Sequence, residues 1–222
     1  MKANKMSLVV LSFVLLLSAC GSTPKQDLAK NNSGYLSNYT NLKEVDSTED
    51  NVLLKWESSE YKTRQYSSVI IDDISYYPAP KAGGDIDNKV LIDIAQYANT
   101  SIKNAAQSTG KVVDVVTDKT IRLRMAITGA TINDEGLSAV QYLPIAFVAS
   151  AVTGNLDNLT AKLVIEGEVT DAQSGELLAT FIRTGLGVDV DDEEQPLTLE
   201  MVKPLLDDWA KLIKKNISEN IK

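Results

Sequence analysis

The feature that most constrains the fold is a change in apolar spacing along residues 66–116. The segment Tyr66 to Ile74 contains a continuous apolar run, which is typical of a strand buried on both faces. In residues 88–108 the apolar positions recur at intervals of three and four, which predicts a helix that Asp87 caps and Gly110 ends. The apolar positions of this helix are Leu91, Ile94, Ala98, Ile102 and Ala105. The run "KVVDVV" predicts a second strand, and because strand–helix–strand units are nearly always right-handed, the two strands should be parallel.

Alternation replaces these patterns further along the chain. Residues 121–128 alternate apolar with polar or small side chains, and residues 161–169 do the same. Strict alternation is typical of a strand with one buried and one solvent-exposed face. The second of these segments continues through "DAQSGE" into the apolar run "LLATFIRTGLG", which predicts a hairpin.

The charges on the two alternating segments are complementary. Arg122 and Arg124 lie on the predicted wet face of one strand, and Glu166 and Glu168 lie on that of the other. We therefore predict that the two strands are neighbours. Opposite charges across such a pair contribute about 0.2–1 kcal/mol each.

The remaining apolar segments complete the predicted fold. "YLPIAFVASAVTG" is apolar on all sides and predicts a buried helix, while the stripe from Leu205 to Ile221 predicts an amphipathic helix with Pro204 in its first turn. "GYLSNYTNLKEV" should lie against the domain, and residues 44–50 should form a loop. The fold class is therefore α/β (mixed α+β), with about five strands in a mixed parallel and antiparallel sheet and about three helices, ordered β-α-β-β-α-β-β-α.

The amino terminus has the pattern of a secretory signal. Lys2 and Lys5 precede the apolar segment Ser7 to Leu17, which is shorter than the about 20 residues of a spanning helix. The sequence Leu-Ser-Ala-Cys that ends at Cys20 resembles the bacterial lipobox. This resemblance implies that residues 1–19 are cleaved and that Cys20 is acylated, so that the protein binds the membrane through a lipid anchor.

The region after the cysteine is polar and lacks an apolar period. We predict that residues 20–33 are a lipidated flexible linker and that residues 34–222 form a single globular domain. In lipoproteins of this type an Asp after the acylated cysteine signals inner-membrane retention. Here the residue is Gly21, which implies an outer-membrane anchor facing the periplasm.

Composition excludes several classes of function. The chain has a formal net charge of −8, with 22 basic and 30 acidic residues, and its basic residues are scattered. Nucleic-acid binding requires a basic face, so we expect no nucleic-acid partner. Cys20 is the only cysteine, so no disulfide within the chain is expected.

Few groups remain for catalysis. The chain has no histidine, which removes the commonest general base and zinc ligand. Asp72 and Asp73 are adjacent in a predicted strand and should point to opposite faces. Glu166 and Glu168 share a face about 6.7 Å apart along a strand, a spacing compatible with a glycosidase pair, although the simpler interpretation is a solvated hairpin surface. The acidic run 189–194 lacks the glycine and final glutamate of a calcium loop and is predicted to be solvated. We expect no catalytic residue, cofactor or metal.

An aromatic loop follows the first strand. Tyr76, Tyr77 and Pro78 are the candidate partner-binding residues, because aromatic residues often form contact surfaces. The alternative is a tyrosine pair packed beneath its own loop. Trp56 and Trp209 are expected to belong to the core.

Several segments resemble a known family. "GYLSNYTNLK", "YSSVIIDDI" preceded by "YKTRQ", and "IRLRMAITGA" followed by the proline-containing apolar segment are similar to an uncharacterised family of Gram-negative lipoproteins, known only as a domain of unknown function. "EGEVTDAQSGELLAT" is also similar to a hairpin of periplasmic α/β lipoprotein domains. These include the amino-terminal domain of the Tol propeller protein and an outer-membrane lipoprotein that activates a peptidoglycan synthase. The hairpin resemblance implies an envelope protein or a peptidoglycan-synthesis protein as partner.

These observations favour a lipid-anchored protein of the cell envelope that acts as a non-enzymatic binding or assembly module in the periplasm. The alternative from another class is a carboxylate-dependent hydrolase that acts on an envelope polymer. An enzyme would require a concave pocket in which two or more titratable groups meet.

Overall fold

A mixed β-sheet forms the centre of the computed structural model, which describes residues 32–45, 51–80, 86–131, 159–190 and 195–222. Two long helices pack on one face of this sheet, and an amino-terminal segment lies on the other. The predicted signal peptide, Cys20, most of the linker and the predicted helix at residues 142–154 lie outside the described residues.

Seven strands form the sheet within the described residues. They are β1 (Lys43–Glu44), β2 (Leu53–Glu57), β3 (Ser68–Ile71), β4 (Ser75–Tyr76), β5 (Thr120–Thr131), β6 (Leu159–Asp171) and β7 (Leu177–Val190). The helices are α1 (Ser59–Thr63), α2 (Asn88–Gln107) and α3 (Leu199–Asn220). The spatial order is β1-β2-β7-β6-β5-β3, and β4 also pairs with β5. The β3 and β4 strands run parallel to β5, whereas all other pairs are antiparallel.

The predicted α/β class is confirmed, and so are two of its strand pairings. The β6 and β7 strands form the expected hairpin, with Gly175 at a φ of 76° in its turn. The β5 and β6 strands are neighbours, and Arg124 lies directly opposite Glu168. The sheet has more strands than predicted, because β1, β2 and β4 are short and carry weak sequence patterns.

The prediction that "KVVDVV" forms the second strand of the parallel pair is wrong. Only Val112 bridges to Val69, and that bridge is parallel. Val115 is 71% exposed. The parallel partner of β3 is β5, which lies on its other side. The exposed residues 114–119 connect the bridge at Val112 to the start of β5 at Thr120.

The strand predicted over Tyr66 to Ile74 is shorter in the structure, as β3. Val69 is buried, but Ile70 and Ile71 are partly exposed. The prediction of a strand buried on both faces is therefore wrong, because β3 lies at one end of the strand order and only one of its faces meets the main core.

The predicted helix after Asp87 is confirmed as α2. The carboxylate of Asp87 accepts a hydrogen bond of 2.8 Å from the backbone N–H of Lys89, which caps the first turn. Four apolar side chains of α2 are buried against the sheet and α3, with Ala106 in the place predicted for Ala105. They are Ile94, Ala98, Ile102 and Ala106.

The carboxyl-terminal helix begins earlier than predicted. It starts at Leu199, so Pro204 lies in its second turn and not its first. Met201 and Val202 are buried and extend the apolar face toward the amino terminus of the helix. Among the described helices none combines the length and the apolar character needed to cross a bilayer.

The apolar interior is divided between the two faces of the sheet. The larger cluster lies between the sheet and the helices α2 and α3. The smaller cluster joins the segment at residues 32–45, here called the N-terminal segment, to the opposite face. Its buried members are Leu36, Val52, Leu54, Val164 and Ile182. The prediction that "GYLSNYTNLKEV" lies against the domain is confirmed.

Candidate functional site

Two buried glutamates lie on the sheet face opposite the helices. Glu166 and Glu168 belong to β6 and are each only 4% exposed. The prediction that they form a solvated hairpin surface is wrong. The β6 strand is flanked by β5 and β7, and the N-terminal segment supplies hydrogen-bond donors to both carboxylates.

The buried carboxylate of Glu168 forms an ion pair with a half-exposed arginine. The guanidinium of Arg124 donates a hydrogen bond of 2.6 Å to one carboxylate oxygen, and the backbone N–H of Ser37 donates to the other. The side chain of Arg124 is 49% exposed. Removing Arg124 would leave the buried carboxylate of Glu168 without its cation, which would destabilise the fold.

Glu166 has a different environment. Ala126 and Ile182 lie opposite it on the neighbouring strands, and its hydrogen-bond donor from the N-terminal segment is the hydroxyl of Tyr39, at 2.5 Å. Burial raises the pKa of Glu166, and the hydrogen bond from Tyr39 opposes this effect. Burial and the bond to Glu166 raise the pKa of Tyr39, so this hydroxyl keeps its proton and donates a hydrogen bond to the carboxylate.

The hydroxyl of Tyr39 also organises its own segment. It accepts a hydrogen bond of 3.0 Å from the backbone N–H of Leu36 and lies 2.9 Å from the hydroxyl oxygen of Ser33. One side chain therefore joins a turn of the N-terminal segment to a buried carboxylate in the sheet.

The two carboxylates differ in the manner of an acid–base pair. One has a raised pKa and the other pairs with an arginine, an asymmetry that enzymes use to separate a general acid from an ionised partner. However, both are engaged by the N-terminal segment and nearly inaccessible to solvent. In this arrangement their chemical effect is to fix that segment onto the sheet.

An exposed surface adjoins the buried carboxylates. The rings of Tyr77 and Tyr35 lie 5.5 Å apart at an interplanar angle of 59°, and the guanidinium carbon of Arg124 lies 4.8 Å from the centre of the Tyr35 ring. We call Tyr77, Tyr35 and Arg124 the aromatic row. Because Glu168 fixes Arg124 and Tyr35 belongs to the attached segment, the row is held in place before any partner binds.

The predicted contact residues differ in their exposure. Tyr77 is 40% exposed, and Pro78, which follows it across a cis peptide bond, is exposed as well. Tyr76 instead packs against the main core. Its hydroxyl is buried and has no hydrogen-bond partner among the described residues. Contact with a partner at Tyr77 and Pro78 stays a prediction, and Tyr76 is poorly placed to take part.

The other predicted acidic positions have separate partners. Asp72 forms an ion pair of 2.7 Å with Arg122, whereas Asp73 pairs with Lys103 of α2. The two aspartates therefore do not converge, as expected from their adjacent positions. The pair of Arg122 and Asp72 adds a second, partly exposed arginine on the strand that carries Arg124.

The acidic run at residues 189–194 is only partly described. Asp189 is exposed and accepts a hydrogen bond of 3.2 Å from Thr160, while residues 191–194 lie outside the described part. Within the described ranges no cluster of three or more acidic or cysteine side chains is arranged to hold a metal ion.

The two tryptophans differ in burial. Trp209 of α3 is buried in the main core, as predicted. Trp56 lies on the face that carries the glutamates, opposite Thr180, and is partly exposed, so its assignment to a core is wrong.

Sequence reasoning missed Tyr35, Tyr39 and Arg124 as members of one site. The sequence analysis places Tyr35 and Tyr39 only in a segment expected to lie against the domain, and Arg124 only in a pair of neighbouring strands. The available signal was a pair of tyrosines in a segment predicted to lie against the domain, together with two glutamates on one face of a predicted strand.

Comparison with known families assigns the chain. The model of a family described as "Protein of unknown function (DUF3313)" matches residues 31–213. The chain belongs to this family. The predicted resemblance to an uncharacterised family known only as a domain of unknown function is confirmed.

A curated relative supports the same assignment, and the chain also matches two solved structures at low identity. The uncharacterized lipoprotein YdcL from Escherichia coli (strain K12) is 32% identical over 200 residues, which cover 89% of each chain. The PelC dodecamer from Paraburkholderia phytofirmans matches with a TM-score of 0.37 and 11% identity, over 77% of this chain and 96% of that one. Protein XCC0632 from Xanthomonas campestris matches with a TM-score of 0.41 and 8% identity, over 69% and 84%. The resemblance of the hairpin to Tol-type domains stays a prediction.

Proposed function

We propose that the protein is a lipid-anchored, non-enzymatic binding or assembly module of the cell envelope, facing the periplasm from the outer membrane. The observation that carries this proposal is the aromatic row, a preorganised and partly exposed set of tyrosine and arginine side chains. Tyrosine and arginine are enriched among the residues that contribute most to protein–protein affinity.

The anchor rests on the lipobox-like sequence that ends at Cys20 and on the description of the relative YdcL as a lipoprotein. Two or more acyl chains bind a protein stably to a bilayer. A tethered domain meets other membrane-bound or wall-bound proteins at a high effective concentration. Modest intrinsic affinity at the aromatic row would then be sufficient for function.

The attachment of the N-terminal segment supports the same role. Tyr39 and Ser37 connect this segment to Glu166 and Glu168 of β6. Tyr35 of the exposed row lies two residues after the end of the predicted lipidated linker, so the row is close to the anchor along the chain. The flexible linker would let the row reach partners at different distances from the membrane.

A carboxylate-dependent hydrolase remains the rival proposal because Glu166 and Glu168 have contrasting environments. Such an enzyme would require the N-terminal segment to move away from both carboxylates. Under the binding proposal, Glu166→Gln leaves partner capture intact. Under the rival proposal, it abolishes hydrolysis of the envelope polymer.

The anchor is tested separately by mass spectrometry. Intact mass of the protein purified from membranes should correspond to a chain that begins at Cys20 and carries acyl groups. Cys20→Ala should remain folded by circular dichroism and lose the acyl mass. A mature chain that starts elsewhere or carries no lipid would contradict the anchor.

The contact surface is tested by photocrosslinking in cells. A photoreactive residue at position 77 should capture a defined envelope protein, identified by its mass, while the same residue at the exposed position of Val115 should not. With that protein purified, Tyr77→Ala should weaken binding about 30-fold, the effect of a hot-spot residue. Val115→Ala is the matched control and should leave affinity unchanged. Equal capture from both positions, or unchanged affinity of a folded Tyr77→Ala variant, would contradict the assignment of this surface.

A further inference from the structure

An apolar cleft lies between the helix α3 and the sheet, on the face opposite the aromatic row. Its cavity volume is about 150 Å³. The side chains that form most of its wall are Leu123, Ile165, Phe181, Trp209, Leu212 and Ile213. An apolar cavity of this size can accommodate a small apolar molecule without polar partners.

The exposure of the lining residues locates the opening. Leu123, Ile165 and Trp209 are buried, whereas Phe181, Leu212 and Ile213 are partly exposed. Asn216 and Asn220, on the last turns of α3, also line the cleft and are exposed. The cleft therefore opens between β7 and the carboxyl-terminal half of α3 and closes beneath Trp209.

One polar group in this wall has an unsatisfied hydrogen bond. Trp209 is 2% exposed, and among the described residues no acceptor lies within hydrogen-bond distance of its indole N–H. Buried tryptophan N–H groups usually have a partner. Trp209 lines the cleft, so its fluorescence reports on what the cleft holds.

The charged residues that line the cleft are both cationic. Lys55 of β2 and Arg183 of β7 lie in its wall, and both side chains are partly exposed. The ammonium of Lys55 pairs with Glu57 at 2.6 Å, but an ammonium has three N–H donors and a guanidinium has five, so both cations can donate to an additional anion.

From the apolar wall and the two partly exposed cations together, we propose that this cleft binds an amphiphile with a single aliphatic chain and a carboxylate head group. The chain lies against Leu123 and Ile165, and the carboxylate lies beside Lys55 and Arg183. An apolar cavity of about 150 Å³ holds a molecule the size of benzene, so about six carbons of the chain are enclosed. A whole diacyl lipid would not fit.

The test uses tryptophan fluorescence and a series of carboxylates. In a Trp56→Phe background Trp209 is the only tryptophan, and its emission reports on the cleft. Butanoate through dodecanoate, each kept below its micelle concentration, should change this emission saturably. Affinity should rise about fourfold for each methylene until about six carbons are buried, and then rise less steeply.

Two variants separate binding in the cleft from adsorption to the surface. Ala179→Leu adds a larger side chain to the wall and should abolish the fluorescence response. Lys55→Gln should weaken octanoate binding at least threefold and leave octanol binding unchanged. Lys119→Gln removes an exposed cation that does not line the cleft and is the matched control.

The outcomes that overturn the proposal are equally specific. They are the absence of any saturable response, an equal response in a folded Ala179→Leu variant, or tighter binding of octyl phosphate than of octanoate. If Ala179→Leu does not fold by circular dichroism, the head-group comparison decides the question. Equal losses of octanoate binding in Lys55→Gln and Lys119→Gln then overturn the proposal.

Discussion

The hydrogen bond between Tyr39 and Glu166 should be a major attachment of the N-terminal segment. We predict that Tyr39→Phe lowers the free energy of unfolding because it leaves a buried carboxylate without its tyrosine donor. Glu166 is almost completely buried and the donor lies at 2.5 Å, so water cannot readily replace the lost hydroxyl.

The expected loss of unfolding free energy follows from the charge of the hydrogen-bond acceptor. A hydrogen bond to a charged group contributes about 1.5–3 kcal/mol, against about 0.5–1.5 kcal/mol for a bond between neutral groups. Tyr39→Phe should therefore cost about 2 kcal/mol in the native background at pH 7 and about 1 kcal/mol in a Glu166→Gln background. The difference between the two costs isolates the contribution of the carboxylate charge, since the loss of the Leu36 bond is common to both backgrounds.

The pH dependence gives a second measure of the same carboxylate. Burial raises the pKa of Glu166 above its ordinary value of about 4.3, so the unfolded state releases this proton first as pH rises. The stabilising contribution of the protonated form is complete below the unfolded pKa and is lost as pH rises through the folded pKa. Glu166→Gln has no such proton, so its stability relative to the native protein should increase over that pH range.

Urea denaturation monitored by circular dichroism, repeated from pH 4 to pH 8, measures both effects. Tyr35→Phe is a matched control, because its hydroxyl has no hydrogen-bond partner among the described residues. An equal cost of Tyr39→Phe in the native and Glu166→Gln backgrounds would refute the reasoning. So would identical pH profiles of the native and Glu166→Gln proteins.

Three further substitutions test how the elements are joined. Gly187→Ala should destabilise the protein by about 1–3 kcal/mol in urea denaturation, because an added Cβ would lie 2.1 Å from the backbone carbonyl oxygen of Met201 in α3. Asp171→Asn should make stability, measured by thermal unfolding, fall less steeply as pH drops through the acidic range. Burial raises the pKa of Asp171, but hydrogen bonds from the β6–β7 turn and from a tyrosine lower it by more, so the net pKa lies below its ordinary value. The ionised carboxylate therefore stabilises the fold above the unfolded pKa, and this stabilisation is lost as pH falls through the folded pKa. Asn99→Ala should cost about 1–3 kcal/mol in urea denaturation, because its side chain makes hydrogen bonds to both the N–H and the C=O of Ile74.

Apolar spacing was sufficient to predict the elements with long, regular patterns. The α2 helix, the β6–β7 hairpin and the pairing of Arg124 with Glu168 all follow from periodicity, turn residues and charge parity. These signals are local, or depend on which side of a strand each residue occupies. The predicted family was likewise recognisable from short segments of the chain.

Spacing could not predict how short strands choose their partners. "KVVDVV" has strong strand propensity, yet only Val112 bridges to β3, whose pairing over residues 68–71 is with β5 on its other edge. The β2 strand has a weak pattern of its own and becomes ordered through its pairing with β7. Sheet pairing depends on residues far apart in sequence, so propensity within one segment does not determine it.

The sequence alone determined that β6 places Glu166 and Glu168 on one face, because alternate residues of a strand must point the same way. It could not determine whether that face meets water. The answer depends on Ser37 and Tyr39, more than a hundred residues earlier in the chain, which donate hydrogen bonds to the two carboxylates. The tertiary structure decides their burial, and with it the raised pKa of Glu166, because desolvation is a property of the surroundings of a group and not of its position in a strand.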